Sequence, residues 1–340
     1  MPSSETWMRL ALREARRGVG RTSPNPAVGA AIVSAQGRLL AKGWHRGAGS
    51  PHAEIEAIRR LARPGLARGA TLFVTLEPCS THGRTPPCVD AIIAAGFARV
   101  VVAATDPNPA HAGRGLQLLA AAGIEVIPGV LAAEATALNR AFNKWIVTGL
   151  PFVIAKCALS VDGRITRLPS EGPWLTSERS RADVHRLRAQ VDAILIGAGT
   201  LRADNPRLTV RGVRGMRGAR QPWRVVMAHS GVLPAESHLF TDEHRERTLV
   251  FKKRSLRWVL RDLGKLGVTS VLIEGGMRLL GEAFDRRLVD RVQFYIAPLL
   301  LGGPKVAIGG RGASVLKAPA IAHPEYRRIG NDLVLTGDLV

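Results

Sequence analysis

The chain has little of several things that would point to particular classes of protein. Among its 340 residues are three cysteines, two tyrosines and eight lysines, and aromatics make up only 5%. Three cysteines, an odd and small number, exclude a disulfide framework. No apolar run approaches the roughly 18 residues needed to cross a bilayer. The first twenty residues carry Glu5 and Glu14 and lack the unbroken apolar core of a signal peptide, so the expected compartment is the cytoplasm. Heptads and long low-complexity segments are missing and Gly and Pro are scattered, which argues against coiled-coil, disordered and collagen architectures, and the two halves are not repeats of each other. The GxGxxG dinucleotide fingerprint is missing as well; Gly197-Ala198-Gly199-Thr200 has no third glycine. Acidic residues number 27 against 48 basic ones, a net charge of +21.

That charge has two readings, a nucleic-acid surface or a soluble enzyme with anionic small-molecule substrates. Arginine supplies nearly all of it and is spread along the chain rather than gathered in one block. The second reading is the better supported: a small-molecule partner, no nucleic acid and no membrane.

At roughly 150 residues per domain the length implies two domains. Strand and helix patterns alternate throughout, which predicts an α/β fold with largely parallel sheets. In the first half, helices are expected at 5–17, 52–63, 86–95, 113–122 and 132–144. A hairpin is expected from 27–34 and 37–44, and strands at 70–76, 98–104 and 124–127. Gly149 and Pro151 break the pattern, so the domains are taken as 1–147 and 148–340. In the second half, strands are expected at 152–159, 192–197, 223–228, 247–251, 269–273 and 290–296, with helices at 177–189, 255–266 and 276–286. Residues 202–222, rich in Arg and Gly, read as a mobile loop, and 323–340 as a strand pair. Cys157, within an apolar run, reads as a buried small side chain.

One constellation carries chemistry. His52-Ala53-Glu54 opens a helix, Cys79 ends a buried strand and Cys88 starts the next helix. One imidazole and two thiolates form a soft three-ligand set for Zn²⁺. Three protein ligands leave a fourth position open, the arrangement of catalytic rather than structural zinc. Glu54, two residues from His52, is placed to shuttle protons without ligating, as hydrolytic deamination of a heteroaromatic amine requires. A fourth protein ligand, for which His82 is the nearest candidate, would instead mark a zinc-stabilised binding protein. In the second half, strand 269–276 leads to Gly275-Gly276 at a helix start, where backbone N–H groups suit a phosphate.

His-Ala-Glu followed by Pro-Cys and a second Cys resembles the zinc cytidine-deaminase-like superfamily. The usual two-residue Cys spacing is replaced here by STHGRTPP at 80–87. EPCSTHGRTPPC (77–88), SPNPAVGAAIV (23–33) and DPNP (106–109) are similar to the deaminase half of the bifunctional riboflavin-biosynthesis deaminase–reductase family. AKCALSVDGRIT (155–166), PWLTS (173–177), residues 187–211 and LIEGG (272–276) are similar to its reductase half, which resembles dihydrofolate reductase in fold and uses NADPH.

The resemblance implies zinc on His52, Cys79 and Cys88, with Glu54 as proton shuttle. Asn25, His82 and Arg84 would meet substrate in the deaminase half. Ala158, Trp174, Thr200, Asp204, Ser230 and the run Gly276, Met277, Arg278, Leu279, Leu280, Gly281 and Glu282 would contact NADPH. Gly172, Arg188, Leu208, Arg211 and Glu274 would line the second substrate site, the two arginines suiting a sugar phosphate. Lys156 and Asp162 flank it. The family has an acidic residue after strand 223–228, where this chain has Ala228-His229-Ser230. Homo-oligomers are implied by the resemblance alone. A nucleoside or tRNA deaminase with an appended domain is the alternative; the insert at 80–87 and the second half argue against it.

Overall fold

The computed structural model describes residues 2–81, 86–109, 111–165, 174–214 and 220–340. The chain divides into two compact units, Met1–Gly149 and Leu150–Val340. The division falls after Gly149, whose left-handed backbone (φ +70°) ends the last helix of the first unit.

The first unit begins with α1 (Ser4–Arg16), capped by Ser3, whose hydroxyl accepts from the Thr6 amide at 3.3 Å. Met8, Ala11, Leu12 and Ala15 form its buried stripe. Then come β1 (Gly29–Val33), β2 (Leu39–Trp44), α2 (Ala53–Arg59), β3 (Thr71–Leu76), α3 (Cys88–Ala95), β4 (Arg99–Ala104), α4 (Arg114–Ala121), β5 (Glu125–Pro128), α5 (Ala132–Leu138) and α6 (Arg140–Thr148). The sheet order is β2-β1-β3-β4-β5. Only β3, β4 and β5 are parallel to one another; the β1–β2 hairpin joins antiparallel. Strands β3 and β4 are almost wholly buried, as their unbroken apolar runs require.

The periodicity over 132–144 predicts one helix, but two form. Asn139 interrupts them because its side chain is used elsewhere: Oδ1 accepts from the Ala27 amide at 2.8 Å and Nδ2 donates to the Ala27 carbonyl at 3.0 Å. Ala27 lies just before β1 and would otherwise leave two buried backbone groups without partners.

The second unit comprises β6 (Phe152–Ser160), α7 (Glu178–Arg188), β7 (Ala193–Gly197), α8 (Ala198–Asp204), β8 (Trp223–Ala228), α9 (His238–Thr241), β9 (Thr248–Lys252), α10 (Leu256–Lys265), β10 (Ser270–Ile273), α11 (Met277–Asp285), β11 (Arg291–Ala297), β12 (Ile321–Ile329) and β13 (Asp332–Leu339). Its sheet runs β12-β13-β11-β6-β10-β7-β8-β9. The strands from β11 to β9 are parallel, and β13 and β12 close one edge antiparallel. Cys157 is buried on β6, and burial raises its thiol to about 11.

Of the loop expected over 202–222, the described residues from 205 onward form no helix or strand, and only its start differs. Residues through Asp204 belong to α8, and Leu208 and Val210 are buried. Gln221 ties down Val210, accepting from its amide at 2.7 Å and donating to its carbonyl at 3.2 Å. The burial of two apolar side chains outweighs the local Arg and Gly content, which is all the sequence pattern registers.

Candidate metal and substrate sites

His52 stands at the N-cap of α2, so its ring projects past the helix end rather than along its side. The helix lies close on β2 because of Gly43, where a Cβ would come within 2.6 Å of the Ala53 carbonyl. Cys79 follows β3, and Cys88 is the first residue of α3, its amide donating to the Cys79 sulfur at 3.3 Å. These three elements bring His52 Nδ1 to 3.2 Å from Cys88 Sγ and 3.5 Å from Cys79 Sγ. All three donor atoms lie within 4.8 Å of one another.

The electrostatics match that donor set. Hydrogen bonding from the Cys88 thiol, reinforced by His52, holds Cys79 down to about 4 despite its burial. Donation to Cys79, burial and the charge of Glu54 push Cys88 well up. The two thiols thus share one proton, which a divalent cation replaces on binding. Glu54 is 3% exposed in the first turn of α2 and lies beside Cys88. Burial raises its carboxyl above the ordinary range.

Asn25 donates from Nδ2 to His45 Nε2 at 3.0 Å, and His45 Nδ1 donates to the Pro51 carbonyl at 3.1 Å. Burial lowers the His45 ring, which stays neutral and edge-on to His52 with centroids 5.2 Å apart. His45 was not singled out from the sequence; its only signal is a lone histidine seven residues before His52. Glu77 is also new to the site. Its carboxylate accepts from the amides of Asp106 at 3.1 Å, Gly113 at 2.9 Å and Gly115 at 2.8 Å, fixing the DPNP segment beside Cys79. Gly115 is required there, since a Cβ would sit 2.2 Å from the Pro78 carbonyl. His82 and Arg84 lie outside the described residues, as does Gly172 of the second unit.

In the second unit the site residues gather at the carboxyl ends of the parallel strands, where ligands bind in open α/β sheets. Glu274, directly after β10, meets Arg188 of α7 side-on at 2.6 and 2.9 Å, and Lys156 of β6 approaches at 3.7 Å. Burial alone would raise Glu274; Arg188 and Lys156 overcome it and hold the carboxyl at about 2. Arg188 also donates to the Thr209 carbonyl at 3.1 Å. Leu208 beside it is 3% exposed with a left-handed backbone (φ +49°), and Arg211 is exposed. Asp162 accepts from the amides of Leu301 and Gly302 at 3.1 and 2.7 Å, which turns it toward that loop.

Thr200, near the start of α8, accepts from the Gly276 amide at 3.2 Å and joins two helix N-termini. Gly276 caps α11, so the residues that follow present free backbone N–H groups. Leu279 and Leu280 point into the core, and Gly281 packs against the backbone of Gly309–Gly310. Ala158 packs near Tyr295, while Trp174 is 60% exposed under the Arg181 guanidinium. Asp204 and Ser230 are exposed. His229, in place of the expected acid, faces Glu282 at 3.8 Å.

Comparison with known proteins matches each unit to a family. Residues 1–104 match the cytidine and deoxycytidylate deaminase zinc-binding region, and residues 151–335 match the RibD C-terminal domain. A zinc-binding deaminase region ahead of a reductase-type unit defines a class of two-domain enzyme, and the chain is of that class. It is 40% identical to the riboflavin biosynthesis protein RibD of Escherichia coli (strain K12), over 97% of this chain and 98% of that one. The structure of Acinetobacter baumannii RibD superposes with a TM-score of 0.91 at 35% identity, covering 99% of each chain. A Thermotoga maritima diaminohydroxyphosphoribosylaminopyrimidine deaminase/5-amino-6-(5-phosphoribosylamino)uracil reductase gives 0.89 at 34%, again over 99% of each. The chain belongs to the RibD family.

Proposed function

We propose that the protein carries out two consecutive steps of riboflavin biosynthesis. The first unit hydrolytically deaminates a diaminopyrimidinone bearing a ribosylamine phosphate. The second reduces the ribosyl group of the product to ribityl with NADPH. The observation that carries the reading is His52, Cys79 and Cys88 converging within 4.8 Å with buried Glu54 against them. The names of the relatives, which describe both activities, supply the substrate class.

Zinc on His52 Nδ1 and the two thiolates supplies Lewis-acid activation of water and charge stabilisation. Glu54 is the proton carrier. Buried beside the cluster, it takes one proton from the attacking water to the pyrimidine nitrogen and then carries the remaining hydroxyl proton to the departing ammonia. Asn25, oriented by neutral His45, offers its amide oxygen to the ring edge. His82 and Arg84 belong to the same reading as substrate contacts.

In the second unit NADPH supplies the hydride. The start of α11, at Met277 and Arg278, would cradle its phosphates through backbone N–H groups, with Gly276 held in place by Thr200. Trp174, Asp204, Ser230 and Ala158 border that site. Glu274, fixed by Arg188 and Lys156, lies on the substrate side with Leu208 and Arg211, and Gly172 belongs to the same reading as a substrate contact. Arg188 gives three hydrogen bonds to Glu274 and Thr209, so the phosphate falls to Arg211.

The positive charge draws a small anionic substrate, not nucleic acid. Cytoplasmic operation is part of the reading; all three cysteines are free, and no described helix is long and apolar enough to cross a membrane. Self-association is part of it too, with β12 leaving Tyr326 65% exposed at the sheet edge.

Mass spectrometry of the products tests the two steps in order. Without NADPH the diaminopyrimidinone ribosylamine phosphate should gain about 1 Da, amine exchanged for oxygen. With NADPH it should gain about 2 Da more, from hydride plus proton. An unchanged mass with zinc bound would overturn the substrate assignment.

A further inference from the structure

The second unit contains a groove of about 600 Å³ lined by Glu178, Arg181, His185, Arg186, Arg211 and Arg214. Its charge is unbalanced, and two of its four arginines already have partners. Arg186 is paired with Asp183 at 2.8 Å. Arg181 donates to the Thr176 carbonyl at 2.9 Å and stacks on Trp174. Arg188, behind the groove, is held by Glu274. Arg211 is different. Desolvation against the groove wall and the nearby charges of Arg188 and Arg207 hold its pKa below the ordinary value, although Glu178 lines the same groove. Crowded cations of this kind are relieved by an anion, and a guanidinium suits a phosphate.

His185 ties Arg211 to the rest of the unit. It lies on α7, one turn before Arg188, and its Nδ1 accepts from the Arg211 backbone amide at 3.2 Å. Only an uncharged imidazole has a ring nitrogen free to accept. Burial, Arg188 and Arg211 keep it uncharged, lowering its pKa to about 4. The ring thus stands among arginines as a neutral acceptor and fixes the backbone from which the Arg211 side chain enters the groove.

We propose that His185 is a positioning residue for the reduction step, holding Arg211 so that its guanidinium meets the phosphate end of the sugar-phosphate substrate. The inference rests on the assignment of Arg211 to that phosphate.

Titration calorimetry on the full chain with D-ribose 5-phosphate as probe tests it, with H185L, H185N and R211A beside the parent. The Oδ1 of asparagine falls near the position of Nδ1 and accepts the same amide proton; leucine accepts nothing. H185L should weaken the probe about tenfold, which corresponds to about 1.4 kcal/mol. It should also raise the reductase KM with little change in kcat, as loss of uniform binding does. H185N should bind within about twofold of the parent, because it keeps the acceptor. R211A should weaken binding at least as much as H185L. Parent-like binding by H185L while R211A is weak overturns the role of His185 alone. Equal loss in H185L and H185N overturns it too, since the acceptor is then not what matters. Parent-like binding by R211A overturns the phosphate assignment beneath it. Should H185L fail to fold, H185A carries the same comparison.

Discussion

Arg188 and Glu274 meet side-on, with hydrogen bonds of 2.6 and 2.9 Å and little of either side chain exposed. They come from α7 and the end of β10, 86 residues apart in sequence. A pair this buried is sensitive to losing one member, because the other keeps its desolvation cost without compensation. E274Q is expected to cost about 3–5 kcal/mol in urea unfolding, whereas R188M/E274L, which removes both charges, should cost much less. Both variants should lose reduction, which separates the stability role of the pair from its place at the substrate site.

E54Q keeps the shape of the proton carrier and removes its function. Deamination should fall by about a hundred- to ten-thousand-fold. Zinc content, measured by elemental analysis, should stay at the parent value, since Glu54 is not among the clustered ligands. NADPH oxidation by the second unit with deaminated substrate should be unchanged.

E77Q replaces an acceptor of three backbone amides with a group that presents two N–H donors to them. The amides of Asp106, Gly113 and Gly115 cannot all be satisfied by one amide oxygen. Each unsatisfied buried donor costs about 1–3 kcal/mol. The expected outcome is a lower thermal midpoint and faster amide exchange over residues 106–115, with zinc still bound.

Arg224 is fully buried, bonded to Asp242 at 2.7 Å and to the carbonyls of Arg207 and Leu239. It was not singled out from the sequence, yet it supports the backbone just before Leu208. R224A leaves Asp242 without its partner and should cost about 3–5 kcal/mol in chemical denaturation.

The pH dependence of stability follows from His185. Its folded pKa is about 4 against an ordinary 6.5, through burial and then the charges of Arg188 and Arg211. Thr209 and Glu274, from the neighbouring segments, oppose that shift without cancelling it. As pH falls, the unfolded chain takes up this proton before the folded one does. The contribution is therefore intact above 6.5 and is lost as pH drops toward 4. The urea midpoint of H185N should fall less than that of the parent between about pH 7 and about pH 5.

The amino-acid sequence alone determined the elements whose pattern is local: α1 with its Ser3 cap, the apolar strands β3 and β4, and the Pro-initiated α3. It also determined which side chains could hold zinc, because donor type and spacing are properties of the chain itself. Tertiary structure decided what depends on partners distant in sequence. Asn139 breaks a helix that its own periodicity supports, because Ala27 needs two hydrogen bonds. Leu208 and Val210 bury in a segment whose composition reads as loop. Arg188, legible as a phosphate ligand, turns to Glu274, because burial demands a counter-charge and the nearest one follows β10. His45, Glu77 and His185 carry no local signature, since each acts by hydrogen bonds that exist only once the sheet has brought its partners together.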